Sequence, residues 1–184
     1  TRYYANNAAK LPSPFKALQC GSVWRADRPQ KGRYRQFTQC DIDILGEESN
    51  LAEIELILAI AKTLKKLVPE NDFLVRVNDR KILRAMVAFA GFPAGQEDGV
   101  LITLDKMDKI GTDGVRAELI ENGASEASAD QYLGLLKDLG TDAAAVRSLG
   151  EKLGDFLEPG TAEGLAEIME AVQSVSGGAV KVQF

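Results

Sequence analysis

Arg25-Ala-Asp-Arg-Pro-Gln-Lys-Gly-Arg-Tyr-Arg-Gln-Phe-Thr-Gln-Cys-Asp-Ile-Asp-Ile-Leu-Gly46 is the stretch that decides the fold. Before it, residues 15–24 alternate as a strand does; after Pro29 and Gly32, residues 34–45 alternate again. Two antiparallel strands joined by a basic, Pro/Gly-punctuated loop are expected. Period two places Thr38, Cys40, Ile42 and Ile44 on one largely apolar face, and Phe37, Gln39, Asp41 and Asp43 on the other. On the incoming strand Gln19, Gly21, Val23 and Arg25 alternate against Leu18, Cys20, Ser22 and Trp24. With Arg25 near the loop end of the polar face, a guanidinium stands over an aromatic ring with an amide and two carboxylates behind it. Such a floor suits a ligand that combines a planar ring, a phosphate and an amine.

Charge sharpens this reading. From Arg25 to Arg35 five basic residues stand against one acidic residue, inside a chain whose formal net charge is −5. Cations crowded into so short a span repel one another and are best tolerated where a polyanion screens them. Arginine's planar fork favours phosphate or carboxylate held at two points.

At residues 24–39, Trp-Arg-Ala-Asp-Arg-Pro-Gln-Lys-Gly-Arg-Tyr-Arg-Gln-Phe-Thr-Gln, the chain resembles motif 2 of the class II aminoacyl-tRNA synthetases in its histidyl-tRNA synthetase form. Residues 73–83, Phe-Leu-Val-Arg-Val-Asn-Asp-Arg-Lys-Ile-Leu, resemble the strand-to-helix junction that follows motif 2 in that family. The resemblance implies an α+β fold: part of a class II synthetase-type antiparallel sheet with flanking helices, plus a small all-helical insertion module. It also implies the site. Arg25 resembles the arginine that stabilises charge on the α-phosphate of ATP, Arg33 the loop arginine directed at the ATP phosphates, and Phe37 the ring that stacks on adenine. Gln39 and Asp43 match positions that hold the histidine substrate; Asp43 replaces a glutamate found in other members, and Asp41 on the same face is the alternative partner for the substrate amine. Arg28, Gln30 and Lys31 resemble groups that approach the acceptor end of tRNA. Asp27 is expected to orient neighbouring arginines. ATP and its companion Mg²⁺, histidine and tRNA(His) are the implied ligands, with no metal-ligand set legible, and a homodimer is the implied parent assembly.

Composition sets the outer bounds. The chain has 184 residues, 45% hydrophobic and 27% charged, enough for one substantial domain or two small ones. Its pI near 4.9 excludes nucleic-acid binding over the whole surface and leaves the basic loop as the place for such a contact. There is no apolar run of membrane-spanning length and no signal-peptide pattern at residues 1–7, so a cytoplasmic protein is expected. No histidine is present, which rules out a His-based triad or a Cys/His zinc site built from this chain alone. If Arg25 faces roughly Tyr34, Cys20 comes close to Cys40 across the hairpin. A disulfide is sterically conceivable there; two reduced thiols packing as small hydrophobes is the preferred reading.

Along the chain, residues 1–10 read as the tail of a helix stopped at Pro12 and Pro14, and with no initial Met this suggests a piece of something longer. Asn50 and Glu53 form a capping-box pattern opening a helix over 51–68, whose apolar stripe should pack across the sheet. A strand over 73–77 and a helix over 80–89 opened by Asp79 follow. Beyond Gly91 short helices are expected at 100–110, 113–121, 127–139, 143–149 and 161–175, then a strand at 179–184 after Gly177 and Gly178. The division is a partial catalytic domain at 1–90, a helical insertion at 91–176 and a return strand at 177–184. The expected function is that of a fragment of a histidine–tRNA ligase, inactive in isolation and prone to self-association. The alternatives are a synthetase-like regulatory or binding paralogue, and a structural or tRNA-binding remnant.

Overall fold

The computed structural model describes residues 1–137 and 139–184. In chain order they form α1 (Arg2–Asn7), a 3-10 turn (Ala8–Lys10), β1 (Phe15–Trp24), β2 (Gln36–Leu45), α2 (Leu51–Leu67), β3 (Leu74–Arg76), α3 (Arg80–Phe89), α4 (Glu97–Leu104), α5 (Met107–Glu121), α6 (Glu126–Lys137), α7 (Ala143–Leu153), a second 3-10 turn (Gly154–Phe156), α8 (Thr161–Val175) and β4 (Lys181–Gln183). This is the expected α+β mixture. The chain folds as two compact units, Thr1–Leu56 and Ile57–Phe184.

The first unit is built on the β1–β2 hairpin, whose ten paired positions run without a bulge from Phe15↔Leu45 to Trp24↔Gln36. β2 begins two residues later than its alternation suggests, because the loop closes on itself. The Arg25 amide donates to the Arg35 carbonyl (2.8 Å), and Gln30 and Arg33 exchange backbone hydrogen bonds of 3.1 and 2.8 Å. Gly32, at φ 78°, makes that tight closure possible. Arg25 therefore faces Arg35 and not Tyr34, a one-residue correction to the expected register. At the far end Tyr4 stacks on Phe15 with ring centroids 5.7 Å apart, and Lys16 pairs with Glu55. Glu47 accepts hydrogen bonds from the Ser49 hydroxyl (2.6 Å) and amide (3.0 Å), which hold its carboxyl below the usual range.

Helix α2 has the expected apolar spacing, yet only Ala61 of it is buried; Leu51, Leu64 and Leu67 are exposed. Its stripe is not the buried seam that the spacing predicts.

In the second unit α3 is the hub, in contact with α4, α6, α7 and α8. Asp79, in extended conformation, caps it by accepting from the Lys81 amide at 2.6 Å. Ile82, Ala85, Met86 and Val87 are buried, while Arg80, Lys81 and Arg84 stay in solvent. Around it the core is filled by Val115, Leu119, Tyr132, Val146, Leu153, Met169 and Val172. Helices α7 and α8 approach so closely that a Cβ on Gly150 would lie 2.5 Å from the Ala162 Cβ. Arg147 ties the pair on the outside, donating to Glu163 at 2.8 Å and to Glu170 at 2.5 Å; these hydrogen bonds hold both carboxyls below their usual range.

The boundaries differ from expectation where glycine and short turns compete with periodicity. α4 stops at Leu104 and not at residue 110, and α5 starts at Met107 and kinks at Gly111 (φ 70°, ψ 175°). The helix expected over 127–139 includes Asp138, which lies outside the described residues. β3 and β4 form a parallel pair, Leu74↔Lys181 to Arg76↔Gln183, the chain re-entering through Gly177 and Gly178 at φ 60° and 80°. A parallel partner needs a long crossover, and α3 to α8 supply it. No described helix is long and apolar enough to cross a membrane.

Candidate functional site

The hairpin register decides which side chains share a face. Gln19↔Asp41, Gly21↔Gln39 and Val23↔Phe37 are direct cross-strand pairs, so Gln19, Arg25, Phe37, Gln39, Asp41 and Asp43 all project to one side. On that side Phe37, Gln39 and Asp41 are half-buried, and Arg25 and Asp43 are exposed. The opposite side carries Leu18 (70% exposed), Trp24 (69%) and Ile42 (40%) with both cysteines exposed, so the apolar face is the uncovered one.

Arg25 stands over the Phe37 ring, its guanidinium carbon 5.0 Å from the centroid, and donates from Nη2 to Gln39 Oε1 at 3.1 Å. Gln39 in turn donates from Nε2 to Asp41 Oδ1 at 2.6 Å. A cation on one side and a carboxylate on the other leave the amide a single favourable orientation, oxygen towards Arg25 and nitrogen towards Asp41. Asp43 is held from the neighbouring strand, where Gln19 Nε2 donates to Oδ2 at 2.8 Å. The result is a line of alternating donor and acceptor groups beside an aromatic ring.

The loop residues lie apart from this floor. Asp27 pairs with Arg33 Nε at 3.5 Å, and its carbonyl accepts from Arg35 Nε at 3.4 Å, so its carboxylate is turned to Arg33 and not to Arg25. Arg28, Gln30 and Lys31 are exposed around the tip. Thus the structure gathers Arg25, Phe37, Gln39, Asp41 and Asp43 on one face and keeps Arg28, Gln30, Lys31 and Arg33 in the loop. Gln19 was missed by the sequence reading; its place two positions apart from Gly21 on the polar face was the signal available. The two cysteines are free and exposed, which departs from the expectation that they pack as small hydrophobes.

A family model described as histidyl-tRNA synthetase matches residues 1–184. The chain belongs to the histidyl-tRNA synthetase family. It is 54% identical over 128 residues to a histidine–tRNA ligase of Leifsonia xyli subsp. xyli, covering 70% of this chain and 30% of that protein. The crystal structure of histidyl-tRNA synthetase from Nostoc sp. PCC 7120 superposes with a TM-score of 0.82 at 23% identity, covering 98% of this chain and 42% of that one. A second crystal structure, titled an ATP phosphoribosyltransferase regulatory subunit/histidyl-tRNA synthetase from Bacillus halodurans C, gives a TM-score of 0.74 at 18% identity over 100% of this chain and 46% of that one. The chain therefore has the fold of a histidyl-tRNA synthetase segment and spans less than a third of the length of the Leifsonia relative. Within that family the hairpin is motif 2.

Proposed function

We propose that this chain is the motif 2 and insertion segment of a histidine–tRNA ligase, and that the Arg25–Phe37–Gln39 face is the floor on which histidyl-adenylate forms. The observation that carries the reading is the placement of Arg25 over Phe37 with Gln39, Asp41 and Asp43 behind it, within a chain whose full length matches the family. In the proposed reaction the histidine carboxylate attacks the α-phosphate of ATP and pyrophosphate leaves; the acyl group then passes to the terminal ribose of tRNA(His). Negative charge grows on the α-phosphoryl oxygens, and the Arg25 guanidinium, held to that phosphate, stabilises it without transferring a proton. Phe37 offers its ring face to adenine once Arg25 swings from the ring to the phosphate. Gln39 and Asp43 hold the histidine substrate, the carboxylate taking its amine, with Asp41 on the same face as the alternative partner; each carboxylate is oriented by one amide donor. Arg33 serves the ATP phosphates, and Arg28, Gln30 and Lys31 the tRNA acceptor end. Among the described residues no three carboxylate or cysteine side chains converge as a metal-holding group, so Mg²⁺ is assigned only as the ion that accompanies ATP. The working division is a partial catalytic domain at 1–90, an insertion at 91–176 and a return strand at 177–184, acting in the cytoplasm within a homodimer. Alone, the chain is expected to self-associate through whichever contact hides its sheet edges and exposed apolar side chains.

A synthetase-like regulatory or binding paralogue is the second reading, favoured by the fold shared with the Bacillus halodurans protein. Two half-reactions measured on a full-length protein carrying this segment separate the two. Arg28→Ala or Gln30→Ala should leave histidine-dependent ATP–pyrophosphate exchange intact and slow transfer to tRNA(His). Equal loss in both steps would remove the loop assignment, and exchange without any aminoacylation in the unaltered protein would favour the paralogue.

A further inference from the structure

Cys20 and Cys40 are directly paired across β1 and β2, on the face opposite the proposed adenylate floor. The parity of the ladder fixes their geometry. Arg25 and Arg35 are joined by a backbone hydrogen bond, and the register continues without a bulge, so hydrogen-bonded pairs fall at Arg25↔Arg35, Val23↔Phe37 and Gly21↔Gln39. Cys20↔Cys40 falls between them, at a non-hydrogen-bonded position. Opposite Cα atoms at such positions lie about 4.5 Å apart, closer than in the hydrogen-bonded pairs. That spacing is inside the range a disulfide spans, roughly 4.4–6.8 Å between Cα atoms. Both thiols are free and exposed to a reagent in solution. The Cys40 thiol is pushed up by desolvation and then by Cys20, its direct partner in the register.

We propose that Cys20 and Cys40 form a reversible dithiol–disulfide site, oxidised by low-molecular-weight disulfides, that staples the two strands of motif 2 together. One thiolate attacks a sulfur of the small disulfide, forming a mixed disulfide and releasing one small thiol. The second cysteine then attacks the protein sulfur of that mixed disulfide, closing the Cys20–Cys40 bond and releasing the other small thiol. Two electrons pass to the reagent, and the two thiol protons leave with the two released thiols. In a reducing compartment the pair rests as thiols; a rise in small disulfides closes it. The staple lands on the residue between Gln39 and Asp41, so it sets the strand spacing beneath the middle of the floor.

The test is made on the native 184-residue chain, equilibrated in buffers of increasing oxidised-to-reduced glutathione ratio, quenched by alkylation and mapped by peptide mass spectrometry. The expected result is one intramolecular link between Cys20 and Cys40 that reducing agent reverses, in a monomer lighter than the dithiol chain by the two thiol hydrogens. Stable glutathione adducts, disulfide-linked dimers, or thiols still free at the most oxidising ratio would each overturn the proposal. The linkage is read on the unaltered sequence and does not depend on ligase activity, so its failure leaves the adenylate reading untouched.

Discussion

Arg25 and Gln39 explain why one strand face can carry opposite charges without collapsing into a single ion pair. The guanidinium spends one edge on Gln39 and its plane on Phe37, while the amide passes the polarity on to Asp41. Gln19 does the same for Asp43 from the other strand. Which residues share this face was legible from alternation alone, because a strand's side-chain period is two and needs no tertiary information. Which donor serves which carboxylate was not legible, since it depends on a register set by the loop closure at Gln30 and Arg33. A full-length protein with Gln19→Ala should show a histidine KM raised about fivefold and an ATP KM unmoved, the size expected for losing one hydrogen bond worth about 1 kcal/mol. An unchanged histidine KM would mean that Asp43 does not need Gln19 or does not hold the substrate.

Elements that carry their own punctuation were read correctly, and those that depend on neighbours were not. α3 begins where Asp79 caps it and ends just before Gly91 turns the chain at φ 81°, both local facts. α2 shows a clear apolar stripe, but a stripe records what a helix can bury and not what is there to cover it, and Leu64 and Leu67 remain in solvent. The closeness of α7 and α8 has no periodic signal, although each helix has one, because it rests on Gly150 having no side chain opposite Ala162. Replacing a helical glycine by alanine ordinarily stabilises by up to about 1 kcal/mol. Here the added methyl meets a fixed Cβ, so Gly150→Ala should destabilise the chain by about 1–3 kcal/mol in denaturant unfolding. Equal or greater stability would show that the two helices can separate at no cost.

At the scale of the whole molecule, the proposed floor is open: Arg25 and Asp43 are exposed, and the chain spans 30% of its Leifsonia relative. Positioning two bound reactants is worth on the order of 7–11 kcal/mol of a barrier, whereas one oriented charge donor supplies about 3–4 kcal/mol. The isolated chain is therefore expected to give no useful histidyl-adenylate, although its motif 2 is complete. In a full-length synthetase carrying this segment, Arg25 should be indispensable for a reason of shape as well as charge. Lysine at that position keeps the positive charge and loses the planar fork that can hold phosphate oxygens at two points. Histidine-dependent ATP–pyrophosphate exchange, measured for that protein and its Arg25→Lys variant, is the decisive comparison. A fall of about 10²-fold or more, with the fold intact, is the predicted result; exchange near the unaltered rate would contradict the assignment of Arg25 and, with it, of the face it commands.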